Sequence, residues 1–189
     1  MGFSVTNGGD GQLYALIGFI PGALGEYLDS LRQELMPGCP FRSHVTVLPP
    51  RMLRGAPGDL SADLGRRLEH TEALEIGIGE IEVFATTSVI YLAIRTGREA
   101  LDRTHEMLAQ GVFACEEPYP FHPHITLAQE FPVDRLEEFL ARARVLWGEW
   151  KKERRFVLER LSFVRGMDLY NWEHVSEHDL NRSQALRTA

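Results

Sequence analysis

The amino-acid sequence predicts an α+β fold of two pseudo-symmetric lobes, each an antiparallel-rich sheet with helices packed on its outer face. One observation behind this prediction is a repeated motif, since residues 40–47 and 120–127 both read Pro-Phe-x-x-His-apolar-Thr-apolar. The other is that a strand–helix–strand–helix–strand order occurs twice. We therefore expect a single bilobal domain over 1–189, with repeats at about 13–84 and 90–164 and a central cleft.

Leucine spacing and prolines define the elements of the first half. Leucines at helical spacing predict amphipathic helices at about 22–36 and 59–71, each entered through a turn that contains proline. An apolar run predicts a strand at 13–20. A second strand begins at His44 and is ended by two prolines, and alternating apolar residues predict a third at 76–83.

The second half repeats this order around the His124 strand. The same patterns predict further elements, namely strands at 89–94 and 156–163 and helices at about 98–110 and 132–147. A closing strand at about 170–176 is expected to complete one of the sheets. The polar ends, 1–11 and 179–189, are expected to lie outside the folded elements.

Individual residues of the two halves match at nearly constant offsets. Tyr14 matches Tyr91 and Leu24 matches Leu101 at an offset of 77, and the offset is 80 at the two histidines. The apolar alternation also slips by one residue near Gly79 in the first half and again near Glu159 in the second. Such a slip reverses the inward face of a strand unless a bulge absorbs it.

Composition and charge narrow the class of protein. The net charge of −7 argues against a broad nucleic-acid interface, which needs a basic face. No apolar run reaches the roughly 20 residues that cross a bilayer, and no secretory signal is evident. The two cysteines, Cys39 and Cys115, are too few for a disulfide framework and are expected to be small, buried and reduced. These observations predict a cytoplasmic protein with no membrane contact, and we expect it to be a monomer.

The chemistry of the repeated motif indicates acid–base catalysis at phosphorus. Side chains alternate along a strand, so His44 and Thr46 share one face, as do His124 and Thr126. Two facing imidazoles can supply a neutral base and a protonated acid on opposite sides of an in-line displacement. The threonine hydroxyls can donate to the non-bridging phosphate oxygens. Such a reaction needs neither a metal nor a cofactor.

Two alternative interpretations of the same residues stay open. The first is a metal site on His122 and His124, with His174 and His178 as further ligands, although His122 is matched by Arg42 in the first half. The second is a non-catalytic module that binds RNA or a nucleotide in the same cleft. Such a module would bind its ligand without turnover, so a turnover measurement distinguishes it from the catalytic interpretation.

The paired motif, in a duplicated chain of this size, resembles the two-histidine phosphoesterase superfamily, and within it the bacterial 2′-5′ RNA ligase and cyclic phosphodiesterase group. The resemblance covers about 13–175 and includes residues 13–51 as well as the second motif at 119–127. It implies a bilobal fold with an active-site cleft between the lobes. It also implies hydrolysis of 2′,3′-cyclic phosphates, or cleavage and joining of 2′-5′ linkages, without metal or ATP.

The resemblance also assigns roles to individual residues. It implies that the catalytic residues are His44, Thr46, His124 and Thr126. Members of the superfamily add variable residues that bind the base and the phosphate. Arg51, just past the first motif, and Gln129, just past the second, are the substrate-binding candidates by position. The expected partner is a nucleotide or RNA end that carries a cyclic phosphate or a 2′-5′ linkage.

Overall fold

The computed structural model describes residues 11–84, 86–167 and 171–181. Most of the predicted polar ends, residues 1–10 and 182–189, therefore lie outside the described residues, as does the first residue predicted for the closing strand, Tyr170. The helices and strands of the described part are β1 (Gln12–Phe19), α1 (Gly22–Leu35), β2 (His44–Leu53), α2 (Pro57–Leu68), β3 (Leu74–Phe84), β4 (Val89–Thr96), α3 (Arg98–Leu108), β5 (His124–Ala128), α4 (Leu136–Glu149), β6 (Arg155–Leu158), β7 (Arg160–Gly166) and β8 (Trp172–Asp179).

The helices begin where the sequence provides a conformational signal. Pro21 is extended immediately before α1, and Pro57 occupies the first turn of α2. Gly97 precedes α3 with φ +84°, and a Cβ there would lie 2.2 Å from the carbonyl oxygen of Glu75, so this position requires glycine. α4 follows a short 3₁₀ turn, Val133–Arg135. None of the helices in the described part of the chain is long and apolar enough to cross a membrane.

The eight strands form two four-stranded antiparallel sheets, which confirms the predicted fold class. The strand orders are β2-β1-β7-β8 and β5-β4-β3-β6. Each half of the chain contributes its third strand to the other sheet, because β3 pairs with β4 and β7 pairs with β1. The sequence repeats at 13–84 and 90–164 therefore do not each build a sheet of their own. Each sheet therefore contains strands from both halves of the chain.

The repeated slip in apolar alternation has a different consequence in each half. In β3 the register with β4 shifts between Ile78 and Ile81, and this bulge lets both residues pack on the core. In the second half the strand breaks at Glu159. The part before the break, β6, pairs with β3, whereas the part after it, β7, pairs with β1. The second slip therefore marks the point where the chain passes between sheets.

One continuous hydrophobic core contains the inward faces of all four helices and one face of each sheet. The motif residues Val45, Val47, Ile125 and Leu127 belong to this core and are fully buried. β2 and β5 are edge strands of different sheets, and they contact one another. The two motif strands therefore lie side by side, with their polar faces directed away from the core.

The cysteines correct one prediction. Both Cys39 and Cys115 are free, but Cys115 is exposed and Cys39 is only half-buried. Each lies in an irregular segment leading towards a motif strand rather than on an apolar helix or strand face. Because the sequence pattern fixes the faces of helices and strands only, it could not specify the burial of these two thiols.

Candidate active site

His44 is held by a backbone carbonyl two residues earlier. Its Nδ1 lies 2.7 Å from the carbonyl oxygen of Arg42. A carbonyl can only accept a hydrogen bond, so Nδ1 carries the proton and donates it. Nε2 is then left with a lone pair in the neutral ring, or with a second proton in the imidazolium. This arrangement fixes the tautomer that a general base or acid acting through Nε2 requires.

His124 repeats the same arrangement in the second half. Its Nδ1 lies 2.7 Å from the carbonyl oxygen of His122. The two rings therefore share one tautomer and one orientation relative to their strands. Since the anchoring group is a backbone carbonyl, the side chain at that position is free to differ, which explains why Arg42 and His122 can occupy equivalent positions.

The threonines share a face with the histidines. In β1, Phe19 pairs with His44 and Ile17 pairs with Thr46. In β4, Ala93 pairs with His124 and Tyr91 pairs with Thr126. All four motif side chains are half-buried, between neighbours that are fully buried. The polar face of each edge strand therefore presents one imidazole and one hydroxyl.

Burial and neighbouring positive charge keep His44 neutral. Burial is the largest influence and lowers the pKa of His44 to about 4, and the charges of Arg32 and His124 lower it further. Burial likewise lowers the pKa of His124, with a smaller contribution from His122. A positive charge on His124 therefore opposes protonation of His44. In the free protein both rings are neutral at neutral pH, and a bound phosphate anion would favour protonation.

Folding stability is expected to fall as the pH drops from about 6.5 towards 4. The unfolded His44 takes up a proton near its ordinary pKa of 6.5, whereas the folded ring stays neutral until about pH 4. Because the His44 side chain is partly accessible, solvent reduces the effect. We expect the free energy of unfolding to fall by about 1–2 kcal/mol over this pH range. Urea unfolding at pH 7.5 and 4.5 measures it. If wild type and His44→Ala lose the same unfolding free energy between these two pH values, His44 is not the group responsible.

The flank of the site in the first half is built from a stacked arginine. The guanidinium of Arg42 lies 4.4 Å from the ring centroid of Phe19, and that ring meets His44 edge-on at 6.4 Å. Asp29 lies 3.9 Å from the Arg42 guanidinium and also accepts a hydrogen bond from the backbone of Ser43. An exposed cation therefore lies beside the first histidine.

The flank in the second half is aromatic, and sequence reasoning missed it. Phe84 meets both His122 and His124 edge-on, at 5.2 and 5.0 Å between centroids. Phe84 also stacks on Tyr91 at 4.1 Å. The Tyr91 hydroxyl donates to Glu82, and burial together with this bond raises the pKa of Tyr91 to about 12. Phe84 and Tyr91 lie on different strands, so no local pattern signals this wall.

Arg98 is a second functional candidate that the sequence did not indicate. Its Nη2 lies 3.4 Å from Nδ1 of His122, so the arginine donates and the imidazole accepts. Burial, followed by the charge of Arg98, lowers the pKa of His122. A partly exposed guanidinium thus lies on each flank of the site, that of Arg42 in the first half and that of Arg98, bonded to His122, in the second. Arg98 is the first residue of α3.

The two substrate-binding candidates lie in different environments. The Arg51 side chain is 1% exposed and its guanidinium is fully engaged, with the carbonyl oxygens of Pro49 and Phe113 and with Glu117. Arg51 lies opposite Tyr14 on the core side of β2, and its substrate contact stays a prediction. Arg51 has the same parity along β2 as the buried Val45 and Val47, and the two one-residue register shifts with β1 together preserve that face. Gln129 is half-buried and directly follows β5.

Strand pairing also corrects the matching of the two halves. Opposite the motif threonines lie Ile17 in the first half and Tyr91 in the second, which gives an offset of 74. Tyr14 is instead buried in the core and stacked on Phe163 at 5.0 Å. The Tyr14–Tyr91 match was therefore wrong, because apolar strands can be shifted in register without losing their sequence similarity.

The proposed histidine ligands of a metal are not assembled in one place. His174 and His178 lie on β8, at the opposite edge of the sheet from β2, and His178 is hydrogen-bonded to Ser176. Across residues 11–84, 86–167 and 171–181, no group of three or more His, Cys, Asp or Glu side chains is arranged to hold a metal ion. Two surface grooves, of about 420 and 350 Å³, are lined by residues other than the motif histidines and threonines.

A duplicated α+β fold that brings two His-x-Thr strands together defines the two-histidine phosphoesterase class. The family described as the 2′-5′ RNA ligase superfamily matches residues 21–167, and the chain belongs to that superfamily. A Geobacillus kaustophilus (strain HTA426) protein with a provisional phosphoesterase name is 27% identical over 128 residues, which cover 63% of this chain and 70% of the relative. A Geobacillus thermodenitrificans (strain NG80-2) relative is 25% identical over the same length and coverage.

Solved structures share the fold at low sequence identity. E. coli LigT in apo form superposes with a TM-score of 0.64 at 16% identity, covering 92% of this chain and all of LigT. LigT complexed with 3′-AMP gives 0.61 at 13% identity, covering 91% and 99%. Kluyveromyces marxianus Usb1 gives 0.54 at 10% identity, covering 87% and 97%. With the family match, these findings make the chain a 2′-5′ RNA ligase-like phosphoesterase.

Proposed function

We propose that this protein is a metal-independent phosphodiesterase that hydrolyses 2′,3′-cyclic phosphates, or cleaves and joins 2′-5′ linkages, on nucleotides or RNA ends. The observation that carries the proposal is the matched pair of imidazoles, each held at Nδ1 by a backbone carbonyl on contacting strands. That geometry leaves two Nε2 atoms for proton transfer. No other titratable pair in the described residues has this duplicated arrangement.

The proposed hydrolysis uses the two imidazoles in opposite roles. Nε2 of His44 takes a proton from the attacking water as its oxygen bonds to phosphorus. Nε2 of protonated His124 gives its proton to the ribose oxygen as the bond from that oxygen to phosphorus breaks. The buried Arg32 charge favours a neutral His44, which suits the base. Joining follows the same path backwards, with the two roles exchanged.

The threonines and flanks complete the proposed substrate site. Thr46 and Thr126 donate from their hydroxyls to the non-bridging phosphate oxygens, whose charge grows in the transition state. Arg42 lies beside the first histidine as a partly exposed cation, and Phe84 as an aromatic ring beside the second. The solved complex of LigT with 3′-AMP supports a nucleotide as the substrate. Cytoplasmic location, a monomeric state and a substrate role for Gln129 stay predictions.

Turnover without metal is the direct test. Protein treated with EDTA is incubated with 2′,3′-cyclic nucleoside monophosphates, a short RNA that ends in a 2′,3′-cyclic phosphate, and a 2′-5′-linked dinucleotide, and products are separated by chromatography. We expect one monophosphate isomer, at a rate that added Mg²⁺ or Zn²⁺ leaves within about twofold, because two imidazoles supply both proton transfers. Tight binding without turnover on all three substrates would instead indicate a non-catalytic nucleotide-binding module.

A further inference from the structure

A buried histidine outside the two motifs is bonded directly to the first motif strand. His105 of α3 is 8% exposed, and its Nδ1 lies 2.9 Å from the carbonyl oxygen of Val47. The carbonyl can only accept, so the imidazole donates. β2 is an edge strand with a neighbouring strand on one side only, and backbone groups on a free edge need other partners. His105 provides such a partner for the carbonyl group of Val47, which lies between Thr46 and Leu48.

The same ring also contacts the segment that leads into the second motif. It stacks on Phe121 with 3.9 Å between centroids and 2° between planes. Its other nitrogen, Nε2, lies 3.5 Å from a carboxylate oxygen of Glu117. That oxygen is also 2.6 Å from Nη2 of Arg51, which belongs to β2. His105, Arg51 and Glu117 therefore join the strand of one motif to the approach of the other.

Within the described residues, the first half has no equivalent of the His105 contacts. At the helix offset of 77, the counterpart of His105 is Leu28, which is fully buried in the core. The first half positions its approach segment differently, with Asp29 of α1 accepting from the backbone of Ser43 and Gln33 bonding to Cys39 and Gly38. The link between the two motifs is therefore an addition to the duplicated fold rather than a part of it.

The side-chain link through His105 and Glu117 bears on how far apart the two motif strands lie. β2 and β5 belong to different sheets, and no strand pairing in the described residues joins them. The separation of the two Nε2 atoms must nevertheless match one phosphate group, and a misplacement of about 1 Å can lower a rate by about 10²-fold. We propose that His105 and Glu117 are positioning residues that set the spacing between the His44 and His124 imidazoles. This inference rests on the proposed two-histidine function.

Kinetics of two single variants and the double variant test the proposal. His105→Phe keeps an aromatic ring for the stack but removes both ring nitrogens, and Glu117→Gln removes the charge that lies beside His105 and Arg51. We expect each to lower kcat by about 10- to 100-fold with KM within about threefold, because the substrate contacts remain. The double variant should be little worse than either single variant. His105→Asn, which can still donate to Val47, should recover part of the loss, and the exposed Glu116→Gln is the matched control.

A readout that needs no turnover keeps this inference separate from the proposed function. In protein labelled with ¹⁵N-histidine, ring signals of His44 and His124 are recorded with and without inorganic phosphate. We expect Glu117→Gln to move the His124 signals and to weaken the phosphate response, while Glu116→Gln changes neither. Folded His105→Phe and Glu117→Gln proteins with wild-type kcat and unchanged ring signals would overturn the proposal. If wild type turns over no substrate, the ring signals alone decide it.

Discussion

Replacing either motif histidine with alanine is expected to lower kcat by about 10²–10⁴-fold, the usual contribution of a general acid or base. Each ring is oriented by a backbone carbonyl bonded to Nδ1, and its Nε2 is the atom proposed to transfer the proton. The lower kcat therefore measures the contribution of Nε2 to proton transfer. His70→Ala is the matched control, because His70 is exposed at the end of α2. Near-wild-type rates in both His44→Ala and His124→Ala would refute two-histidine catalysis.

The leaving group distinguishes the two roles. An acyclic nucleoside 4-nitrophenyl phosphodiester releases nitrophenolate, which needs no proton from the enzyme. On this substrate we expect His124→Ala to recover most of its lost rate, because the acid is no longer needed, whereas His44→Ala stays impaired. The reverse pattern would exchange the assignments of base and acid and would leave the two-histidine mechanism intact. Equal impairment of both variants would contradict the assignment of His124 as an acid.

Removing one motif hydroxyl is expected to have the second largest effect. Thr46→Val or Thr126→Val should lower kcat by about 10²–10³-fold, since each change deletes one donor to the charge that develops on phosphate oxygen. Steady-state kinetics on the substrate found for wild type measures the effect, and KM should change by far less than kcat. Serine keeps the donor, so Thr46→Ser and Thr126→Ser should retain most of the rate.

The threonine prediction has an internal control in the same protein. Thr86 is exposed in the turn between β3 and β4, and Thr86→Val should leave all kinetic constants unchanged. Thermal unfolding of each variant excludes loss of fold, because the motif threonines are only half-buried. If both valine variants keep the wild-type kcat while the histidine variants are inactive, other donors stabilise the charge on the phosphate. Arg42 and Arg98 would then be the next residues to substitute.

The sequence predicted the elements well because each depends on local spacing. α1 was expected at 22–36 and occurs at Gly22–Leu35, and α3 was expected at 98–110 and occurs at Arg98–Leu108. α2 begins two residues earlier than expected, since Pro57 enters the first turn instead of preceding the helix. Both slips in alternation were visible in the sequence. Their outcomes, a bulge in one half and a passage between sheets in the other, depended on distant strands.

The candidate site was predictable to the level of the motif strands. Alternation placed His44 with Thr46 and His124 with Thr126, and burial of the intervening residues agrees with that placement. The residues around them were not predictable. The alternation that buries Val45 and Val47 also turns Arg51 inward, but nothing near it in sequence indicates its partner Glu117, 66 residues away. Phe84 contacts His124 from β3, and Arg98 bonds to the neighbouring His122 from α3, which no nearby spacing indicates.

By itself the sequence determined the kind and order of the elements, the duplication, the two polar strand faces and the family. These properties follow from periodicity and from short motifs, which the chain carries locally. Only the tertiary structure decided the exchange of the third strands, the carbonyl anchors of the two imidazoles, the pairing of Arg51 with Glu117 and the link through His105. Each of these depends on which distant segments pair, and strand pairing is set by the packing of the whole core, since apolar strands fit several registers almost equally well.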